Sequence, residues 1–365
     1  MGYTPRPMDE RTAFLKEITE AFGPPGLEDD VAAILIKRTE GFCEVSRDNL
    51  GSFIATKKGS ADGPRIMVAG HMDEVGFMVT DVEPSGYLRI RPVGGWWPHV
   101  MLAQRVKVRT RKGDYLGVIG SKPPHELKAE ERKQVLQFED IFVDLGVADG
   151  FDVSEATGVR RGDFVVPHAP FETLANENLS VVKAWDNRVG SALAVDLLRE
   201  LRDVDHPNTV FGVSTVQEEI GLRGAGTTAD TVKPDLAIAV DVGIAKDTPG
   251  FSGFEKAQEK FGGGAGILLM EGRAVAHPRF ARFVLDVAEE EEIPHHTTTM
   301  LGGGTDANRF QITGQGIPSL AICVPSRYIH SHSSIIDRRD YDATLKLLTA
   351  VCRRLDAETV ARIRG

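Results

Sequence analysis

Carboxylate and imidazole side chains recur at one kind of position along this chain. His71 and Asp73 follow the apolar run 65–69, Glu218 and Glu219 follow Thr209–Thr215, and Asp241 follows Leu236–Val240. His330 and His332 come a few residues after Ser319–Val324, and Asp186 stands just ahead of a helical pattern over 187–202. Loops that follow strand ends are where functional groups gather in an alternating strand–helix fold. Taken singly, each residue has an ordinary reading. Asp186 caps a helix, Glu218-Glu219 is a solvated pair, Asp241 is a turn residue near Gly243, and His71 is a structural imidazole. Taken together, two imidazoles and three carboxylates suit two divalent ions of intermediate hardness, such as zinc or cobalt. Such a pair needs one carboxylate that holds both ions, terminal ligands for each, and open positions for water and substrate. It also needs a carboxylate off the metal to take a proton from the water. On extended backbone the side chains of Glu218 and Glu219 point apart, so one suits metal and the other protons. Their spacing does not say which.

The elements that must position these groups are legible in outline. Helical spacing places helices over 10–22, Asp29–Thr39, Asn187–Arg202, Ala225–Thr231, Pro278–Glu292 and Tyr341–Arg362. Strands are expected at 65–69, Thr209–Thr215, Leu236–Val240, Gly266–Met270 and Ser319–Val324, with two short strands around Asp48-Asn49. This alternation implies an α/β fold, with a mostly parallel sheet flanked by helices. Between about 75 and 170 the pattern changes to short alternating strands, with one helix expected over Ala148–Ala156. The domain reading is therefore a discontinuous α/β catalytic domain, residues 1–73 and 172–365, interrupted by a β-rich unit over 74–171. The glycine-rich stretch 245–264 reads as a surface loop.

Composition excludes several functions. With 53 acidic against 43 basic residues, the net charge of −10 repels nucleic acid and anionic membranes. Cys43, Cys323 and Cys352 are too few and too scattered for a disulfide framework or a structural zinc site. No apolar run is long enough to span a bilayer, and the N-terminus shows no secretory core, so a cytoplasmic protein is expected.

Several ordered segments carry a resemblance. AGHMDEVGFMV at 69–79, GGWWPHVMLAQRVKVRTRKG within 94–125, WDNRVG at 185–190, QEEIGLRGA at 217–225, DVGIAKDTPG at 241–250, GGTDAN at 303–308 and RYIHSH at 327–332 are similar to the M42 metallo-aminopeptidases. That family is the glutamyl-aminopeptidase and tetrahedral-aminopeptidase group, some of whose members carry an endoglucanase label. The resemblance implies two metal ions, zinc or cobalt with manganese as a further option. It implies His71 and Asp241 on one ion, Glu219 and His330 on the other, Asp186 between them and Glu218 as general base. Asp73 matches the acid that orients His71; a carboxylate two residues away can accept the proton of the imidazole nitrogen not bound to metal. The β-rich unit matches an inserted dimerisation domain, and homo-oligomers up to a tetrahedral dodecamer are expected. His332 is then a supporting or surface residue, and His295-His296 are candidates to line a neighbouring pocket. Trp185 and Asn308 are candidates to shape the substrate pocket, whose walls are expected near 245–265 and 300–310.

The mechanism implied is hydrolysis of the first peptide bond of peptide substrates by a metal-bridged hydroxide, with Glu218 moving the proton. A metal-dependent deacylase or carboxypeptidase on the same core is the alternative. An endoglucanase would need two carboxylates and no metal, leaving the histidines unexplained.

Overall fold

Four parallel strands carry the candidate site in this computed structural model, which describes residues 8–60 and 62–365. Thr209–Thr215, Arg65–His71, Leu236–Ile244 and Ser319–Arg327 lie side by side in that order. Antiparallel strands extend both margins and complete a twelve-stranded mixed sheet. One branch matters below: Ala265–Glu271 runs antiparallel to Ser319–Arg327 and parallel to His295–Thr299.

The central strands are near-continuous apolar runs because helices cover both faces. Successive side chains alternate between two cores. Ile66, Val68, Ile238 and Val240 pack with the long helix Trp185–Glu200 and with Arg338–Arg354. Met67, Ala69, Ala237 and Ala239 pack with Arg223–Val232 and Asp306–Gln311. The α/β reading holds.

Two expected helices differ. The one expected over Ala148–Ala156 spans only Val153–Thr157, because Gly150 takes a left-handed turn and Asp152 caps the helix from its own side chain. The stretch expected as one helix over Tyr341–Arg362 is two, Arg338–Arg354 and Ala357–Arg364. Asp356 breaks it by accepting the Thr359 N–H as a new N-cap.

After His71 the chain forms a closed six-stranded barrel from Gly76–Val82, Leu88–Val93, Arg105–Thr110, Gly113–Ile119, Phe142–Asp144 and Phe164–Pro167. Its interior follows the two-residue period: Phe77 and Val79, Leu88 and Ile90, Val106 and Val108 all point inward. Where barrel meets sheet, the buried Glu74 carboxylate pairs with Lys183 at 2.5 Å and Arg188 at 3.3 Å. Trp96 stacks on Phe77 at this junction, whereas Trp97 is largely exposed.

Candidate metal centre

The site forms where the central strands part. Pairing between the His71 and Asp241 strands stops at Ala69–Ala239, two residues short of His71 and Asp241. Loss of pairing at the carboxyl ends of parallel strands opens the crevice in which such folds bind ligands.

Close backbone approach then brings Asp186 in. A Cβ on Gly70 would lie 2.2 Å from the carbonyl carbon of Gly190, and one on Gly190 would lie 2.2 Å from the Val240 oxygen. Gly190 is thus wedged between the residues that precede His71 and Asp241. The Asn187 amide donates to the Val240 carbonyl at 2.8 Å, and the Ser191 hydroxyl donates to the His71 carbonyl at 2.9 Å. These contacts lock the start of the Asp186 helix onto both strands.

The structure brings all seven expected residues together. Asp186 faces two imidazoles with its two oxygens: Oδ1 is 3.2 Å from His71 Nε2, and Oδ2 is 3.4 Å from His330 Nε2. Glu218 Oε2 lies 3.8 Å from His71 Nε2, and Glu219 Oε2 lies 3.7 Å from His330 Nε2. Two sets of donor atoms are close enough to hold a metal ion, His71 with Asp186 and Glu219, and His71 with Glu218 and Asp241. The His71 Nδ1 faces Asp73 twice, its carbonyl at 3.1 Å and its Oδ1 at 3.4 Å. His330 Nδ1 faces the Gly95 carbonyl at 2.8 Å. His330 is the open side of the cluster, with its side chain 38% exposed against 2% for His71.

The charges ask for a cation. Among the described residues, Asp186, Glu218 and Glu219 form ion pairs only with His71 and His330. Burial, with the neighbouring Asp186 charge, pushes Glu219 up to about 7 and raises Asp241 well above the usual carboxylate range. Burial also raises Glu218, against the His71 charge. Burial opposes charge on His330, but the Asp186 hydrogen bond and Glu219 hold it up at about 10. Partial burial opposes charge on Asp186 too, yet its two imidazole partners keep it below the ordinary range. Glu219 Oε1 is buried with no hydrogen-bond partner among the described residues. Neutral imidazoles and ionised carboxylates around divalent ions would relieve all of these at once, so the residues fit such ions.

His332 is separate from the cluster: both ring nitrogens are buried without partners among the described residues, burial lowers it to about 4, and its ring lies 5.4 Å from Trp96. Trp185 is a core residue, its Nε1 donating to the Ser180 carbonyl. Asn308 donates to Glu271 at 2.6 Å. His295 and His296 turn Nδ1 toward the carbonyls of Ile293 and Gly263.

Three groups were not singled out by sequence. Asp306 accepts the Thr215 hydroxyl at 2.6 Å and adds charge beside His71 and Asp241. The Gly95 carbonyl reaches His330 from the barrel. Glu28 accepts the Gln217 N–H at 3.1 Å. Asp306 and Gly95 lie inside the GGTDAN and GGWW segments, so motif membership was the available signal.

Residues 51–347 match the profile of the family described as M42 glutamyl aminopeptidase. The chain belongs to that family. A TET aminopeptidase from a marine sediment Thaumarchaeota archaeon superposes with a TM-score of 0.93 at 41% identity, covering 98% of this chain and 100% of that one. The TET1 peptidase of Pyrococcus horikoshii, which can assemble into a tetrahedron or a large octahedral shell, superposes with a TM-score of 0.84 at 30% identity, covering 95% and 100%. The lysyl aminopeptidase of Pyrococcus furiosus is 35% identical over 93% of this chain and 96% of its own length. This M42 member is a peptide hydrolase, and its metal-compatible cluster lies where the sheet opens.

Proposed function

We propose that this M42 protein is a two-metal aminopeptidase that removes the first residue of peptides, acting in the cytoplasm as a homo-oligomer. The observation that carries the reading is the Asp186 carboxylate, whose two oxygens face two different imidazoles. His71 and Asp241 are assigned to one ion, His330 and Glu219 to the other, and Asp186 to both. Zinc or cobalt suits this donor set, and manganese is a further option. Bound there, such ions supply an acidified water and stabilise negative charge developing on the scissile carbonyl oxygen.

The chain's own residues do the rest. Glu218 takes the proton of the attacking water and returns it to the departing amine. Its raised affinity for a proton, caused by burial, suits a group that must both accept and donate. Asp73 and the Gly95 carbonyl orient the two imidazoles through their Nδ1 atoms. Peptide enters from the exposed His330 side. The catalytic unit is read as residues 1–73 with 172–365, and 74–171 as the inserted dimerisation unit. Exposed Leu116 and Val118 on the barrel give the latter an apolar surface, and the tetrahedron or octahedral shell that the Pyrococcus horikoshii relative can form supports a closed homo-oligomeric shell.

The test uses metal-stripped protein reloaded with zinc, cobalt or manganese. Aminoacyl p-nitroanilides are expected to be cleaved only after reloading, and N-acetylated amino acids and peptides blocked at the N-terminus to be left intact. Turnover of the acetylated substrates alone would move the assignment to a deacylase.

A further inference from the structure

The last barrel strand, Phe164–Pro167, hands the chain back to the sheet through His168, Ala169 and Pro170. A cavity of about 140 Å³ opens at this return, with room for several waters. Its lining comes from both units: Lys107 from the barrel, His168 from the return, and Glu20, Phe22 and Lys183 from the sheet side. None of the metal-cluster residues lines it.

The strand Arg105–Thr110 turns Val106 and Val108 into the barrel, so Arg105 and Lys107 stand on its outer face. Arg109 takes the ion pairs of this strand, with Asp30 and Asp114, and among the described residues Arg105 and Lys107 have none. Asp114 is near enough to feel the Lys107 charge, but both its oxygens are held by Arg109.

Lys183 is 4% exposed. It donates to the Ala21 carbonyl at 2.9 Å and to Glu74 Oε1 at 2.5 Å, which leaves one N–H of the ammonium. The same Glu74 oxygen also pairs with Arg188 at 3.3 Å. Glu20, the one carboxylate in the lining, accepts the Phe171 N–H at 2.9 Å. Four cations, Arg105, Lys107, Lys183 and Arg188, thus stand around the cavity against the carboxylates of Glu20 and Glu74. This local positive excess lies in a chain whose net charge is −10. Partial burial lowers His168, and the charges of Lys107, Arg105 and Lys183 lower it further in spite of Glu20.

We infer that this cavity binds one small tetrahedral oxyanion, of the sulfate or phosphate kind, which joins the barrel to the sheet unit. Lys107 meets the ion from the barrel, Lys183 offers its remaining N–H from the opposite unit, and the neutral His168 ring has one N–H to give. Donors on three sides suit oxygens arranged as a tetrahedron better than the two coplanar oxygens of a carboxylate. Pro167 and Pro170 have no N–H, so donation falls largely to these side chains. A cation would meet like charge here.

The test is titration calorimetry of the zinc- or cobalt-loaded protein with sodium sulfate, with ionic strength held constant by chloride. Saturable binding of one sulfate per subunit is expected. Lys107→Met keeps the aliphatic stem and removes the charge-assisted donor, so affinity should fall about tenfold or more; Lys107→Arg should keep most of it. Sulfate held at the metal ions instead would bind Lys107→Met as tightly as the wild type. That result would overturn the site, as would wild-type protein that shows no saturable binding. A parallel titration with inorganic phosphate names the preferred ion, the tighter binder that also depends on Lys107. Should Lys107→Met fold poorly, anomalous scattering from wild-type crystals soaked in selenate decides. A peak between Lys107, His168 and Lys183 supports the site, and peaks only elsewhere overturn it.

Discussion

Asp73 holds Glu218 by its backbone: Asp73 Oδ1 accepts the Glu218 N–H at 3.0 Å, and Oδ2 accepts the next amide, that of Glu219, at the same distance. The Glu28 carboxylate takes the amide before them, that of Gln217. Three consecutive N–H groups are thereby fixed by two buried acids, which sets the two glutamate side chains against different imidazoles. Asp73→Asn replaces one acceptor oxygen by an NH2 group aimed at an N–H. Metal affinity is expected to fall about 10–100-fold, as for other groups that support metal ligands, and kcat to fall with it. Metal titration followed by kinetics at saturating metal separates the two effects. Wild-type affinity in this variant would show that the amide contacts are incidental.

Glu218→Gln keeps the shape and the backbone contacts and removes the proton-accepting oxygen. The loss in kcat is expected at roughly 10²–10⁴-fold, the usual contribution of a general base. Metal content by mass spectrometry should stay at the wild-type level. A variant that turns over normally, or that loses its ions, would move the proton role away from Glu218.

The elements that deliver the site were legible because local pattern controls them. Apolar runs ending in His71 and Asp241 announced buried parallel strands, and helical spacing after Asp186 announced its helix. The supporting contacts were not legible, because they join residues far apart in the chain: His330 to Gly95 spans 235 positions and Glu219 to Asp73 spans 146. No local periodicity encodes such pairings. The division of labour between Glu218 and Glu219 likewise depends on which imidazole each meets, a property of the assembled sheet. At 148–156 and around 356 the helical pattern misled, since one left-handed glycine and one capping aspartate outweighed it.

The two histidines of the RYIHSH segment should behave in opposite ways. His330→Ala removes a donor atom 3.4 Å from Asp186 and is expected to lower metal stoichiometry. His332→Phe removes two buried nitrogens that have no partner among the described residues and keeps a ring beside Trp96. An unpartnered buried polar group costs about 1–3 kcal/mol, so His332→Phe should keep full metal content and melt at the same temperature or higher. Loss of metal from His332→Phe would instead make His332 part of the centre.

Gly190→Ala tests the wedge that gathers the site. The added methyl would meet the Val240 carbonyl oxygen at 2.2 Å and the Asn187 Oδ1 at 2.4 Å. Overpacking of this kind costs about 1–3 kcal/mol or more, so a lowered melting temperature of metal-free protein is expected in calorimetry. Metal affinity should fall as well, because the methyl pushes the Asp186 helix from the strands bearing His71 and Asp241. A destabilised variant that binds metal normally would mean that the approach serves packing alone.

Metal uptake should release protons, and the sign follows from the site's charges. Without ions at neutral pH, His330 keeps its proton because its affinity lies near 10, and Glu219, near 7, is partly protonated. Metal ligation requires a neutral imidazole and an ionised carboxylate, so binding expels these protons and affinity falls as pH falls. Because ligand binding stabilises the folded state by RT ln(1 + [L]/Kd), the thermal shift caused by zinc or cobalt should shrink on acidification. Titration calorimetry in buffers of different ionisation enthalpy measures the proton count directly. Asp186→Ala removes the acceptor that holds the His330 proton and the carboxylate assigned to both ions. It should therefore bind at most half the metal and release fewer protons per ion. Two ions bound at normal affinity in Asp186→Ala would break the link between that carboxylate and the paired site.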